Sequence, residues 1–172
     1  MYSKAKVLGH PIHPMLVGFP VAFYTGTLVA FIVYAATMDL FWFRLACVVN
    51  WAGVGTAALA AVPGLIDWAT GIPRSSPAKR TALIHMALNV TSLIVFLISA
   101  IVASDHWYML LPPAGTGIAL SALGVLLTVP AGFLGWSLVQ DHHVGIQLSN
   151  EQERLEPVHT EATRAPVPRE AR

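Results

Sequence analysis

GHPIHPMLVGFPVAFYTGTLVAFIVYAA, residues 9–36, is the stretch on which the fold turns. It opens with two histidines, His10 and His13, each followed by a proline, and then runs through apolar residues without a single charge. Proline is favoured at the start of a helix, where its missing N–H would have no partner anyway. Pro14 therefore predicts a helix start, with His13 as its cap. A residue before proline is driven to extended backbone, so His10 and His13 are expected on a stiff hook at the helix mouth. The run 15–36 exceeds the about 20 residues that cross the hydrocarbon as a helix. Lys4 and Lys6 precede it in the manner of a signal peptide, but the run is too long for a signal core. A retained membrane span is expected.

Three further apolar runs follow, at 41–66, 81–103 and 115–139. The chain of 172 residues is 55% hydrophobic and only 11% charged, against about 25% charged in a soluble domain. Nothing alternates like barrel strands, and only helices or closed barrels satisfy the backbone in lipid. The links 37–40, 67–80 and 104–114 are short, so consecutive helices should be antiparallel neighbours. The expectation is an all-α, antiparallel four-helix transmembrane bundle over 15–148, preceded by the hook 1–14. From Ser149 the composition turns to Glu, Pro and Arg. Ser149 and Gln152 can form a capping box, and 149–172 reads as a polar, disordered tail. Lys4, Lys6, Arg74, Lys79 and Arg80 gather on the side of the N-terminus, with only Arg44 opposite. By the positive-inside rule both termini are expected to be cytoplasmic, in the cell membrane. Trp42, Trp107 and Tyr108 fit an outer aromatic belt and Trp68 an inner one. Net charge is +1 without a basic tract, so nucleic acid is not an expected partner. The bilayer is, and oligomerisation is left open. Cys47 stands alone and reads as a packing residue.

The topology lines up the ionisable groups. His10 and His13 stand where helix one starts, Asp67 where helix two ends, His85 just inside helix three, and His142 and His143 where helix four ends. Helical spacing places Gly117, Ser121, Gly124, Thr128, Ala131, Gly135 and His142 on one stripe. Gly53, Ala57, Ala60, Gly64 and Asp67 form another, with Asn50 beside it, and His85, Asn89, Ser92 and Ser99 share a face. Small and hydroxylated residues are what membrane helices present to one another, so these faces should point inward. Pro20, Pro63 and Pro130 lie within spans, each freeing a carbonyl four residues earlier, at Leu16, Leu59 and Leu126.

Ionisable groups at membrane depth are functional by default. Neutral imidazole ligates metal ions and haem iron. One arrangement is haem b gripped by two of His13, His85 and His142, with Gly135 admitting the plate and Arg80, Lys79 and Lys6 pairing with its propionates. Another is one or two transition metal ions held by His10, His13, Asp67, His85 and His142, since nitrogen ligands with a carboxylate suit zinc, iron, nickel or copper. Either redox centre would serve membrane-linked electron transfer, with a redox protein or a quinone as partner. The alternatives are non-redox metal binding or transport, a proton relay, and a scaffold whose polar groups lock helix register. No phosphate loop, nucleophile elbow or cysteine pair is visible, so no hydrolase or transferase activity is indicated.

The motifs GHPIHPMLVGFPVA at 9–22, GLIDW at 64–68 and IPR at 72–74, together with His85, Asn89 and the HHVGI run ending at Ile146, resemble the domain-of-unknown-function 2231 family. The resemblance covers residues 4–148. It implies a four-span prokaryotic membrane protein. Fusion of some members to Rieske or c-type cytochrome domains implies redox chemistry near the membrane. His10, His13, Asp67, His85 and His142 match motif positions. Gly18 stands where many relatives have histidine, and His143 where relatives often have glycine.

Overall fold

The computed structural model describes residues 3–146 and Glu151. Glu151 apart, the expected tail and its capping box lie outside them. The hook is a miniature hairpin, β1 (Lys6–Val7) paired antiparallel with β2 (His10–Pro11). Its two turn residues, Leu8 and Gly9, both have positive φ, 49° and 82°, the geometry a two-residue hairpin turn requires. Helix one starts earlier than expected. Pro11 is the extended residue before it (φ −62°, ψ 126°), and α1 runs Ile12–Leu16. His13 is thus the second helical residue and not a cap. Pro14 still falls within the first turn, where an N–H has no helical acceptor, while the Ile12 N–H extends the hairpin pairing to Ala5 O at 3.0 Å.

Pro20 cannot donate to Leu16 O, and the helix is interrupted at Val17 before α2 (Gly18–Thr37). Met38 ends α2 in the left-handed region at φ 56°. Asp39 caps α3 (Leu40–Ile66), its carboxylate accepting from the Phe41 N–H at 2.9 Å. The segment after α3 is not a plain loop. It winds into a π-helical turn, Asp67–Gly71, closed by the Ile72 N–H on Asp67 O at 3.2 Å. α4 (Pro77–Asp105) starts on a proline, four residues before the expected 81. α5 is Gly115–Gln140.

Four spans result, of 26, 32, 29 and 26 residues, each long and apolar enough to cross a membrane. Their outward faces carry large apolar side chains, among them Ile32, Leu59, Leu126 and Phe133, the last 73% exposed. A water-facing surface of this kind would be unstable, whereas lipid solvates it. Consecutive spans pack side by side, and α5 closes the ring on α2. The α2–α3 and α4–α5 hairpins are the two tightest units.

The two hairpins repeat one design. His13 and Tyr24 are eleven residues apart, as are His85 and Phe96; so are Gly53 and Gly64, and Gly124 and Gly135. A Cβ on Gly53 would stand 2.8 Å from the Tyr24 ring, and one on Gly124 would meet the Phe96 ring. In each hairpin an aromatic ring therefore lies on bare glycine backbone of its neighbour. The two rings then stack on one another across the bundle, centroids 3.6 Å apart and planes 3° apart. At the end remote from the N-terminus, Phe31, Tyr34 and Phe43 form an aromatic core. There Tyr34 donates its hydroxyl to Pro112 O at 2.8 Å.

Most of the inward stripes are buried, including Asn50, Gly53, Ala60, Ser92, Ser99, Gly117, Ser121, Gly124 and Ala131. Asn89 is the exception. It is exposed and folds back on its own helix, donating to His85 O at 2.8 Å.

Candidate functional site

In the first turn of helix one and two turns into α4, the same interaction occurs twice. His13 Nδ1 lies 2.8 Å from Ala60 O on α3. His85 Nδ1 lies 2.8 Å from Ala131 O on α5. In both cases the accepting carbonyl is four residues before a glycine, Gly64 or Gly135, that lies under the imidazole. A Cβ on Gly64 would stand 2.9 Å from His13 Cε1 and Nδ1, and one on Gly135 3.0 Å from His85 Cε1. Absence of a side chain lets each ring lie in the helix groove and reach a main-chain oxygen. Gly135 thus seats the His85 imidazole.

A carbonyl can only accept, so Nδ1 carries the hydrogen in both rings. In the neutral imidazole the lone pair is then on Nε2. This is the state a metal-ligating histidine is held in when its other nitrogen is fixed by a main-chain oxygen. The two rings lie near each other between the hairpins in a T-shaped arrangement, centroids 6.3 Å apart and planes at 88°. The Asn89 amide nitrogen is 3.2 Å from His85 Nε2 and 3.4 Å from Nδ1. Near-equal distances to both nitrogens place the amide over the ring and out of line with the Nε2 lone pair.

The other expected ligands are used elsewhere. Asp67 is 9% exposed and holds the N-terminal segment. Its Oδ2 accepts from Ser3 Oγ at 2.7 Å, and its Oδ1 from the Lys4 and Ala5 N–H groups at 2.6 and 3.1 Å. A carboxylate with three donors on it is a clamp, not an open ligand. His10 is exposed on the hairpin, its Nδ1 3.0 Å from Leu8 O. His142 lies past the end of α5, its Nε2 3.4 Å from Thr81 Oγ1. Among the described residues no three His, Cys, Asp or Glu side chains are grouped to hold a metal ion. The five-residue set therefore does not converge, and His13 with His85 is what remains of it. Arg80 lines a surface cleft with Arg74. Lys79 lies 4.0 Å over the Trp68 ring and donates to Trp68 O.

Helical spacing puts Ala60, Gly64 and Ala131 on the inward stripes without marking the two carbonyls as acceptors or Gly64 as a seat. The signal was present: an alanine four residues before a glycine, twice, at matching distances from a buried aromatic contact.

Neither the curated proteins nor the solved structures compared with the chain give a match. A family model does, over residues 9–148, and its description is predicted membrane protein (DUF2231). The matched region takes in both histidines, both glycine seats, the π-helical turn and all of α2 to α5, and the chain belongs to that family.

Proposed function

We propose that His13 and His85 together bind one redox-active metal centre, haem iron in the first place, in a protein that carries electrons at the membrane. The observation that carries this reading is the paired geometry of the rings. The centroids lie 6.3 Å apart and each Nδ1 is taken by a main-chain oxygen, so Nε2 of each ring is the atom that would hold a metal centre. A pair of imidazoles suits haem better than a free ion. Haem iron takes its equatorial ligands from the porphyrin and needs only axial ones from protein, whereas zinc sites draw three or four ligands from the chain. Bound there, haem would supply one-electron chemistry. The chain's own part is to fix both tautomers through Ala60 and Ala131 and to exclude bulk water with its apolar spans. The basic residues of the N-terminal face orient that face, and the pair, toward the cytoplasm of a cell membrane.

A second reading rests on the same two bonds. Each histidine fastens its helix to the next, so the pair can serve as a register lock with no metal. A reduced-minus-oxidised spectrum with metal analysis separates the two. Haem bands lost in both His13→Ala and His85→Ala support the first reading, and protein purified without haem or stoichiometric iron or copper supports the lock.

A further inference from the structure

A second site lies at the membrane interface, where the π-helical turn meets the start of α4. There Trp68, Arg74, Ser75, Lys79, Arg80 and Leu83 help line an open cleft of about 460 Å³. The two arginines are exposed and have no hydrogen-bond or ion-pair partner among the described residues. Three cations in one cleft repel each other unless an anion enters. Lys79 is already engaged by Trp68, both over its ring and at its carbonyl, so it builds the wall and leaves the guanidinium groups to bind. The Ser76 hydroxyl is turned to Pro73 O at 2.8 Å and does not cap α4. The Trp68 indole N–H is buried and lacks an acceptor among the described residues.

The chemistry recognised is a phosphate group. Guanidinium presents a planar fork that matches two phosphate oxygens, and such charge-assisted pairs are the strong class of hydrogen bond. The cleft also continues onto apolar surface. Leu83, one turn beyond Arg80, is 48% exposed on the lipid-facing side of α4. A free anion has no use for that surface, whereas an acyl chain does. We propose that this cleft binds the headgroup phosphate of an anionic phospholipid. Arg74 and Arg80 hold the phosphate, Ser75 adds a hydroxyl contact, and Leu83 carries the first methylenes of a chain.

The test uses the full chain, purified in detergent and stripped of lipid. It is then incubated with phosphatidylglycerol, phosphatidylcholine or inorganic phosphate, and bound adducts are counted by native mass spectrometry. Phosphatidylglycerol should be retained over phosphatidylcholine and should raise the thermal midpoint. The Arg74→Gln, Arg80→Gln double variant should bind it about tenfold more weakly or worse, while Arg44→Gln on the opposite face should bind as the parent does. Ser75→Asp, which adds a negative charge without removing a cation, should weaken binding as well. Equal retention of phosphatidylglycerol by the parent and both cleft variants overturns the site. Equal protection by phosphatidylcholine overturns the headgroup selectivity, and equal protection by inorganic phosphate overturns the lipid assignment in favour of a free anion.

Discussion

Gly64→Ala puts the imidazole seat to a quantitative test. The added methyl carbon would sit 2.9 Å from His13 Cε1 and Nδ1, where ordinary contact begins at 3.4 Å. The ring must therefore retreat by about half an ångström. That lengthens the 2.8 Å bond to Ala60 O to about 3.3 Å, outside the usual range for N–H···O. Overpacking of this kind costs about 1–3 kcal/mol, and a buried donor and acceptor left unpaired cost about 1–3 kcal/mol. Against this stands the better helix propensity of alanine, worth about 0.8–1 kcal/mol. The balance is a net loss of about 1–5 kcal/mol. The control is Gly132→Ala, where a Cβ meets nothing within 4 Å; it should be neutral or gain up to about 1 kcal/mol. Reversible unfolding in detergent–denaturant mixtures measures both. The decisive arm is the cycle with His13→Ala, because removing the ring removes the clash. Gly64→Ala should then lose most of its cost, with a coupling of at least about 1 kcal/mol. A neutral Gly64→Ala in the parent, or additive single effects, would show that the glycine does not serve to seat His13.

Other substitutions separate the remaining interactions. Tyr24→Phe should stabilise the bundle by about 1 kcal/mol, because the buried Tyr24 hydroxyl has no partner among the described residues and an unpaired buried hydroxyl is a cost; a loss of stability in the same unfolding assay would reveal a bond to that oxygen. Phe96→Ala removes the stacking partner and a fully buried ring, and should cost about 3–5 kcal/mol. Asp67→Asn turns a two-oxygen acceptor into one oxygen and one donor facing Ser3, Lys4 and Ala5. The N-terminal segment should then exchange its amide hydrogens faster, by a factor of ten or so, while α3 to α5 keep their protection; unchanged exchange over residues 4–7 would contradict the clamp.

The four spans were legible because length and hydropathy alone decide them: runs at 15–36, 41–66, 81–103 and 115–139 became helices covering those positions. Boundaries were less legible where two prolines compete. Pro11 and Pro14 both permit a helix start, and what selects Ile12 is a hydrogen bond to Ala5, a contact made only once the hairpin has formed. Asp67 stands where α3 passes into the π-helical turn. Its actual partners come from residues 3–5, far away in sequence, and no periodicity announces a segment folding back on itself. Asn89 was assigned inward by helical spacing, but its amide is satisfied by its own turn at His85 O, which removes the cost of facing outward. The doubled hairpin was written in the spacing of His13, Tyr24, Gly53 and Gly64 against His85, Phe96, Gly124 and Gly135. Few identities accompany it, since lipid-facing positions exchange freely among apolar residues while ring, seat and carbonyl must stay in register.

The most direct test of the paired-imidazole centre is the spin state of iron in the oxidised protein, read by low-temperature electron paramagnetic resonance. The prediction is one low-spin haem per chain with two imidazole ligands, converted to high-spin or lost to the same extent in His13→Ala and in His85→Ala. Parent protein with both histidines intact and no haem iron would contradict it, and so would a low-spin signal that survives either substitution.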